Sequence, residues 1–247
     1  LAVRFAWHKL ATPNLVNAAG LPTATFRAGK LPAPKNSASA NVPEAKGYRV
    51  IYQTDMPKEA NYASSGPLYQ IDSSSKDKAD FQRIAYYLEL TKNDGAKQFV
   101  FTAMNKFSND PKKIGIPTAS SGGRFMQKVE ALTIRTNVKG LTACTNSDGG
   151  NIEFWPGNYG PANETGISGA NAKVYDFGDH GSPQVPGYGC MQVHHWKSKQ
   201  TAFALNHWGN NGTLDAGIGN SKGKAADWTF TGNGGEYKTI RLTVLVK

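Results

Sequence analysis

Three histidines and two tryptophans fall in the stretch from Gly189 to Trp208: His194, His195, His207, Trp196 and Trp208. An imidazole can serve as a base, a metal ligand or a hydrogen-bond partner. An indole offers an apolar face and a single N–H donor. Met191, Val193 and His195 alternate with Gln192, His194 and Trp196. After the polar turn Lys197-Ser198-Lys199, Thr201, Phe203, Leu205 and His207 alternate with Ala202, Ala204, Asn206 and Trp208. Period-two alternation on both sides of a short turn is the pattern of a β-hairpin, with successive side chains on opposite faces. The segment that follows is rich in Gly and Asn, including Asn210, Asn211 and Asp215 to Asn220.

Several chemistries can be built from these residue types, and most lack a partner. Neighbouring strand histidines point to opposite faces, so His194 and His195 cannot readily share an ion, and the sequence assigns no metal ligand. Nucleophilic catalysis needs a hydroxyl or thiol, a base and an orienting acid, and no Gly-x-Ser-x-Gly elbow is present. Glycoside cleavage needs two facing carboxylates; Glu89, Glu153, Asp176 and Asp179 are available, but nothing in the order of residues pairs them. Asn146 to Asn151 offers oxygen ligands without the spacing of a calcium-binding EF-hand, and an Asx-turn loop accounts for it as well. No catalytic residue and no cofactor is therefore assigned. Carbohydrate binding fits best, because a sugar presents an apolar ring face and polar edges. Trp196, Trp208 and Tyr159 supply aromatic faces; Asn158, His194, Asn206, His207, Asn210 and Asn211 supply polar partners. The alternative is that these rings pack the core, with Trp155 and Trp228 the foremost core candidates. An anionic glycan would pair with Arg124, Arg135 or a nearby Lys.

The elements that must position these groups read as strands. They are Tyr48–Gln53, Phe81–Leu90, Gln98–Met104, Val129–Val138, Asn151–Trp155, Val174–Phe177, the hairpin, Trp228–Phe230 and Thr239–Val246. Only Ala79–Arg83 and Pro111–Lys113 look briefly helical. Short strands separated by Gly, Pro and Asn turns predict an all-β fold, a β-sandwich or jelly roll with long loops, its final strand in the middle of a sheet. Charged residues make up 19% of the 247, below the roughly 25% of an average soluble domain. The net charge of +10 comes from dispersed Lys and Arg. It fits general solubility or attraction to a polyanion, and with no clustered basic stripe nucleic acid is not an expected partner. Cys144 and Cys190 are either a disulfide or two buried thiols. No apolar run approaches the roughly 20 residues of a membrane helix.

The chain begins with a strand-like Leu1 to Trp7 and has no initiator Met, so it reads as a piece of something longer. Residues 28–47, rich in Pro, Ala, Ser and Asn, read as a linker between residues 1–27 and a domain at 48–247. Val3-Arg4-Phe5-Ala6-Trp7, Pro13-Asn14-Leu15, Gly20-Leu21-Pro22 and Phe26-Arg27 together resemble the closing segment of sialate O-acetylesterase-type carbohydrate esterases. The resemblance covers about a tenth of the chain, and it implies an upstream catalytic domain in the same precursor, because the nucleophilic serine of those enzymes has no counterpart here. A second resemblance covers most of 48–247. It rests on Ile84 to Leu90, Lys113 to Pro117, Gly150 to Pro156, Asn158-Tyr159-Gly160, Gly187 to His194, Asp215 to Asn220 and Asp227 to Phe230. These are similar to an ancillary C-terminal domain appended to sialidase-, sulfatase- and esterase-like proteins of secreting bacteria. The expectation is a non-catalytic, glycan-binding module of a secreted, extracellular or periplasmic enzyme. Two alternatives stand beside it. One is a contribution to the catalysis of an acetylesterase or sialidase. The other is assembly into a homo-oligomer by strand addition through residues 1–7.

Overall fold

The last ten strand residues, Tyr237–Val246, place Ile240, Leu242 and Val244 on one face, and all three are fully buried in the main core. Strands on both sides of this one use the same device. The computed structural model describes residues 3–5, 26–28, 35–59, 69–116, 125–156, 189–207, 209, 211–221 and 233–247. Its strands are β1 (Val3–Phe5), β2 (Phe26–Ala28), β3 (Arg49–Asp55), β4 (Ile71–Asp72), β5 (Arg83–Lys92), β6 (Lys97–Asn105) and β7 (Phe125–Lys128). They continue with β8 (Leu132–Thr136), β9 (Cys144–Ser147), β10 (Gly150–Pro156), β11 (Gly189–His195), β12 (Gln200–Asn206), β13 (Ala216–Ser221) and β14 (Tyr237–Val246).

A seven-stranded sheet runs β4-β3-β14-β5-β6-β8-β9, and a five-stranded sheet runs β13-β12-β11-β10-β7. All their pairings are antiparallel. The all-β expectation is met, as a β-sandwich, and β14 does lie inside its sheet, between β3 and β5. Ile51, Tyr86, Leu88, Val100 and Leu242 from one sheet meet Ile152, Val193, Phe203, Leu205 and Ile218 from the other in one core. The rings of Tyr86 and Phe203 join the layers, with centroids 5.9 Å apart. Gln200 adds a polar tie: its amide donates to Gly140 O (2.7 Å) and accepts from Thr142 N–H (3.0 Å).

Part of the other face of the seven-stranded sheet is buried too, and this revises the domain boundary. Residues 37–40 and 43–45 form short 3-10 turns. Ala38, Val42 and Ala45 are buried there against Ala85, Tyr87, Phe101 and Leu245. The side chain of Asn36 accepts from Ala38 N–H (3.1 Å) and donates to Ala45 O (2.8 Å) and Tyr48 O (3.1 Å). Small apolar residues between the prolines let the chain lie flat on a sheet, so the second half of the expected linker belongs to the domain. The chain divides into units at 1–35 and 36–247. In the first unit β1 has a partner strand: Val3, Arg4 and Phe5 pair with Ala28, Arg27 and Phe26.

The expected strands at Val174–Phe177 and Trp228–Phe230 lie outside the described residues. Of the two helical segments expected, Pro111–Lys113 is a 3-10 turn, and Ala79–Arg83 is bend and extended chain leading into β5. No helix among the described residues is long and apolar enough to cross a membrane. Neither cysteine is in a disulfide, which corrects that alternative: Cys144 lies on β9 and Cys190 on β11, in different sheets. Cys144 donates instead to Leu132 O (3.4 Å). Replacement of Phe203 by Ala removes the ring that joins the sheets, and it is expected to cost about 3–5 kcal/mol, read as a lowered midpoint in urea denaturation with little change in slope.

Candidate functional site

The hairpin of β11 and β12 is present, with one irregularity that strict alternation does not predict. Val193 pairs with Phe203, but His194 pairs with Thr201, and Ala202 is the extra residue of a bulge. Ala202 enters the core beside Phe203. Thr201 is thereby turned to the face that carries His194, away from the other sheet. A bulge re-aims side chains in this way because two residues on one strand oppose one on its partner.

That outward face holds a row of polar groups with almost no solvent access. Asn151, Glu153, Gln192, His194 and Thr201 are each fully buried. Their positions follow from β10 and β11, where Ile152, Phe154, Met191 and Val193 point to the core and the intervening residues point the other way. Glu153 is the hub. Its Oε1 accepts from Asn151 Nδ2 (2.8 Å) and its Oε2 from Gln192 Nε2 (2.5 Å). His194 Nε2 lies 3.3 Å from Glu153 Oε1, and His194 Nδ1 shares a hydrogen bond of 2.9 Å with Thr201 Oγ1. Buried polar groups are tolerated when they satisfy one another in this manner.

The row reaches the surface at one end. Trp196, half-buried, follows β11, and its backbone N–H donates to Gly149 O (2.8 Å). Its indole Nε1 donates to Asn151 Oδ1 (2.7 Å). Asn151 therefore bridges the buried carboxyl group and the half-exposed ring. Lys128 on β7, directly opposite Asn151 in the register, brings its exposed ammonium within 6.0 Å of the centre of the Trp196 ring. This is the range of a cation–π contact.

Those of the expected binding residues that are described lie at two ends of the hairpin. Cys190 pairs with Asn206, so Asn206 and His207 lie at the opposite end of the hairpin from Trp196. Six residues of strand separate the two ends, about 20 Å at the usual rise. Asn206 is buried, its N–H and side-chain amide both donating to Asp215, to O (3.0 Å) and Oδ2 (2.8 Å). Asn211 is exposed in a turn, with φ of 48°. His207 is half-buried, and its N–H donates to Gly189 O (2.8 Å). His194 is fully buried and is linked to Trp196 through Glu153 and Asn151. Trp208, Asn210, Tyr159 and Asn158 lie outside the described residues, as do Arg124, Asp176 and Asp179. Arg135 is engaged by Glu44 (2.7 Å) and Cys144 O (2.7 Å). Among the described residues no group of three or more His, Cys, Asp or Glu could hold a metal ion.

Lys128, Asn151, Gln192 and Thr201 are the contributors that sequence reading does not assign to the site. Phe125–Lys128 does not carry a strand pattern long enough to recognise, and the bulge leaves no mark in the order of residues. Glu153 was visible only as one carboxylate among several, although its place between Ile152 and Phe154 does set it on the opposite face.

Burial lowers the proton affinity of two imidazoles. His195 is shifted down by burial and, to a smaller degree, by the charge of Lys197. His207 is pushed down to about 4, from 6.5, by burial. A histidine held neutral in the fold takes up its proton more readily when unfolded, so its contribution is complete above about pH 6.5 and is lost as the pH falls toward 4. Thermal midpoints across that interval are expected to fall less steeply for His207→Gln than for the unaltered chain. Asn151→Ala removes the hydrogen bonds that Asn151 makes to the Trp196 indole N–H and to a Glu153 oxygen. It is expected to cost about 1–3 kcal/mol in urea denaturation and to alter the Trp196 emission, read as a difference from the Trp196→Phe chain. In comparisons with protein-family models, curated proteins and solved structures, nothing matches this chain.

Proposed function

We propose that the chain is a non-catalytic carbohydrate-binding module of a secreted enzyme, and that it contacts its glycan at the turn end of the β11–β12 hairpin. The observation that carries this reading is the half-exposed Trp196, fixed through its N–H to a fully buried asparagine and flanked by an exposed lysine. An aromatic face costs little conformational entropy to present when its rotamer is already held by a hydrogen bond, and pre-organisation of this kind raises affinity. The apolar ring takes the face of a sugar. The ammonium of Lys128 takes a carboxylate or sulfate on its edge. In an enzyme precursor such a module would raise the local concentration of substrate through its tether.

A second reading is favoured by one arrangement. Thr201, His194 and Glu153 stand in the order hydroxyl, imidazole, carboxyl, at 2.9 and 3.3 Å, the order used for acyl transfer. Full burial of all three speaks against it, because a nucleophile needs access to its substrate. Assembly through residues 1–7 is the weakest reading, since β1 already has a partner strand in its own chain.

Affinity electrophoresis through neutral and acidic glycans separates these. Retardation is expected for the intact chain, with Trp196→Ala weakening it about tenfold, equivalent to about 1.4 kcal/mol. Lys128→Gln is expected to weaken acidic glycans alone. No retardation by any glycan, or an unaltered Trp196→Ala chain, would count against the proposal. Hydrolysis of an acetyl ester by the chain, abolished in Thr201→Val, would transfer the function to the second reading.

A further inference from the structure

A groove of about 430 Å³ lies far from Trp196, on the seven-stranded sheet. It crosses four neighbouring strands in the order β6, β5, β14, β3. Lys97 starts the row on β6, Thr91 and Glu89 follow on β5, Lys238, Thr239 and Arg241 on β14, and Asp55 and Lys58 close it at the end of β3. Four cationic side chains face two acidic ones.

The acids are largely committed. Arg241 binds Asp55 through two hydrogen bonds, Nε to Oδ1 (2.7 Å) and Nη2 to Oδ2 (3.1 Å). Glu89 lies opposite Arg241 in the register and accepts from Ser37 Oγ (3.0 Å). Lys58, Lys97 and Lys238 are exposed, and among the described residues none of the three is in an ion pair. Lys97 Nζ donates to Thr91 Oγ1 (2.8 Å), which holds its ammonium over the row. Lys238 reaches the groove because of a second β-bulge. The register on β5 steps from Tyr237 to Thr239, so Lys238 is the unpaired extra residue while Tyr237 and Ile240 both remain in the core. Without that bulge, alternation could not bury Tyr237 and Ile240 together.

We infer that this groove is an anion-binding cleft for an acidic polysaccharide strand, one bearing sulfate esters or uronate carboxylates. Three unneutralised ammonium groups spread over four strands, about 14 Å of backbone spacing, suit a row of charges along a polymer better than one small anion. Thr91 and Thr239 offer hydroxyls to the ring edges. Among the described residues no aromatic side chain lines the cleft, so they offer stacked bases no platform, which disfavours single-stranded nucleic acid. That the polymer is a glycan rests on the reading of Trp196; that it is anionic rests on the groove alone.

The test uses the full chain with dextran sulfate, polygalacturonate, neutral dextran and single-stranded DNA, followed by titration calorimetry at low and raised salt. Binding is expected for at least one acidic polysaccharide and weaker at high salt, and the two acidic probes distinguish sulfate from carboxylate recognition. The double variant Lys97→Gln, Lys238→Gln is expected to lose about tenfold or more in affinity. Lys76→Gln, Lys78→Gln removes the same charge from exposed residues near the other end of β3 and is expected to change affinity less than about twofold. Equal losses in the two double variants would show attraction to net charge alone and overturn the cleft. So would tighter binding of DNA, or no binding of either acidic polymer. Trp196→Ala is expected to keep the groove-dependent binding, so failure at the indole and failure at the lysines are read separately.

Discussion

A carboxyl group with no solvent access dictates much of this molecule. Taking Glu153 out of water costs several kcal/mol unless hydrogen-bond donors replace the lost hydration. Asn151 and Gln192 supply those donors, from the same strand and from the one beside it. The pairing of β10 with β11 is thereby pinned. A slip of one residue would turn Glu153 into the apolar core and carry Ile152 and Phe154 out of it. The polar row and the hydrophobic core thus specify the same register from opposite faces of one sheet.

The row also connects the interior to the surface. Asn151 has a donor committed to Glu153 and an acceptor committed to the indole of Trp196. Its orientation is therefore fixed by groups at both ends of its amide. The ring that meets solvent is placed by a carboxyl group that never does. The bulge at Ala202 contributes at the other end, because it is what brings Thr201 to His194. Removing the bulge would leave a buried imidazole nitrogen without the hydroxyl, a loss comparable to that of any buried hydrogen-bond partner.

These relations explain what could be read in advance. The long strands β5, β6 and β14 announce themselves through β-branched and aromatic residues, and the hairpin through alternation on both sides of Lys197–Lys199. β13 does not, because Ala216-Gly217-Ile218-Gly219-Asn220 has loop composition and becomes a strand only through its pairing with β12. β9 is likewise hidden in Cys144-Thr145-Asn146-Ser147, and the turn chemistry there is real: Asn146 adopts φ of 48° near the end of β9, just before the chain crosses to β10 in the other sheet. The packed segment after Asn36 has linker composition, and only the flat apolar surface of Ala85, Tyr87 and Phe101 makes sense of its alanines. For the candidate site, residue types near position 200 were visible, but their grouping was not. Nearness in sequence along a hairpin is not nearness in space, and the register sets Trp196 and Asn206 at opposite ends.

The same reasoning bears on the charge. Arg49, Arg135 and Arg241 are each paired with a carboxylate, through Asp77, Glu44 and Asp55. Arginine's planar fork suits such fixed pairs, whereas a lysine is a mobile, strongly hydrated point charge. Arginine is thus used to tie elements of the sandwich to one another, whereas among the described residues exposed lysines such as Lys58, Lys97 and Lys238 are in no ion pair and contribute to the net charge of +10. At physiological salt a free charge is felt over only about 8 Å. A dispersed surplus of that reach guides an approaching polyanion without choosing where it settles. Selection requires several unpaired ammonium groups held on one surface, and the bulge that delivers Lys238 into the row between Lys97 and Lys58 gathers them there by backbone geometry.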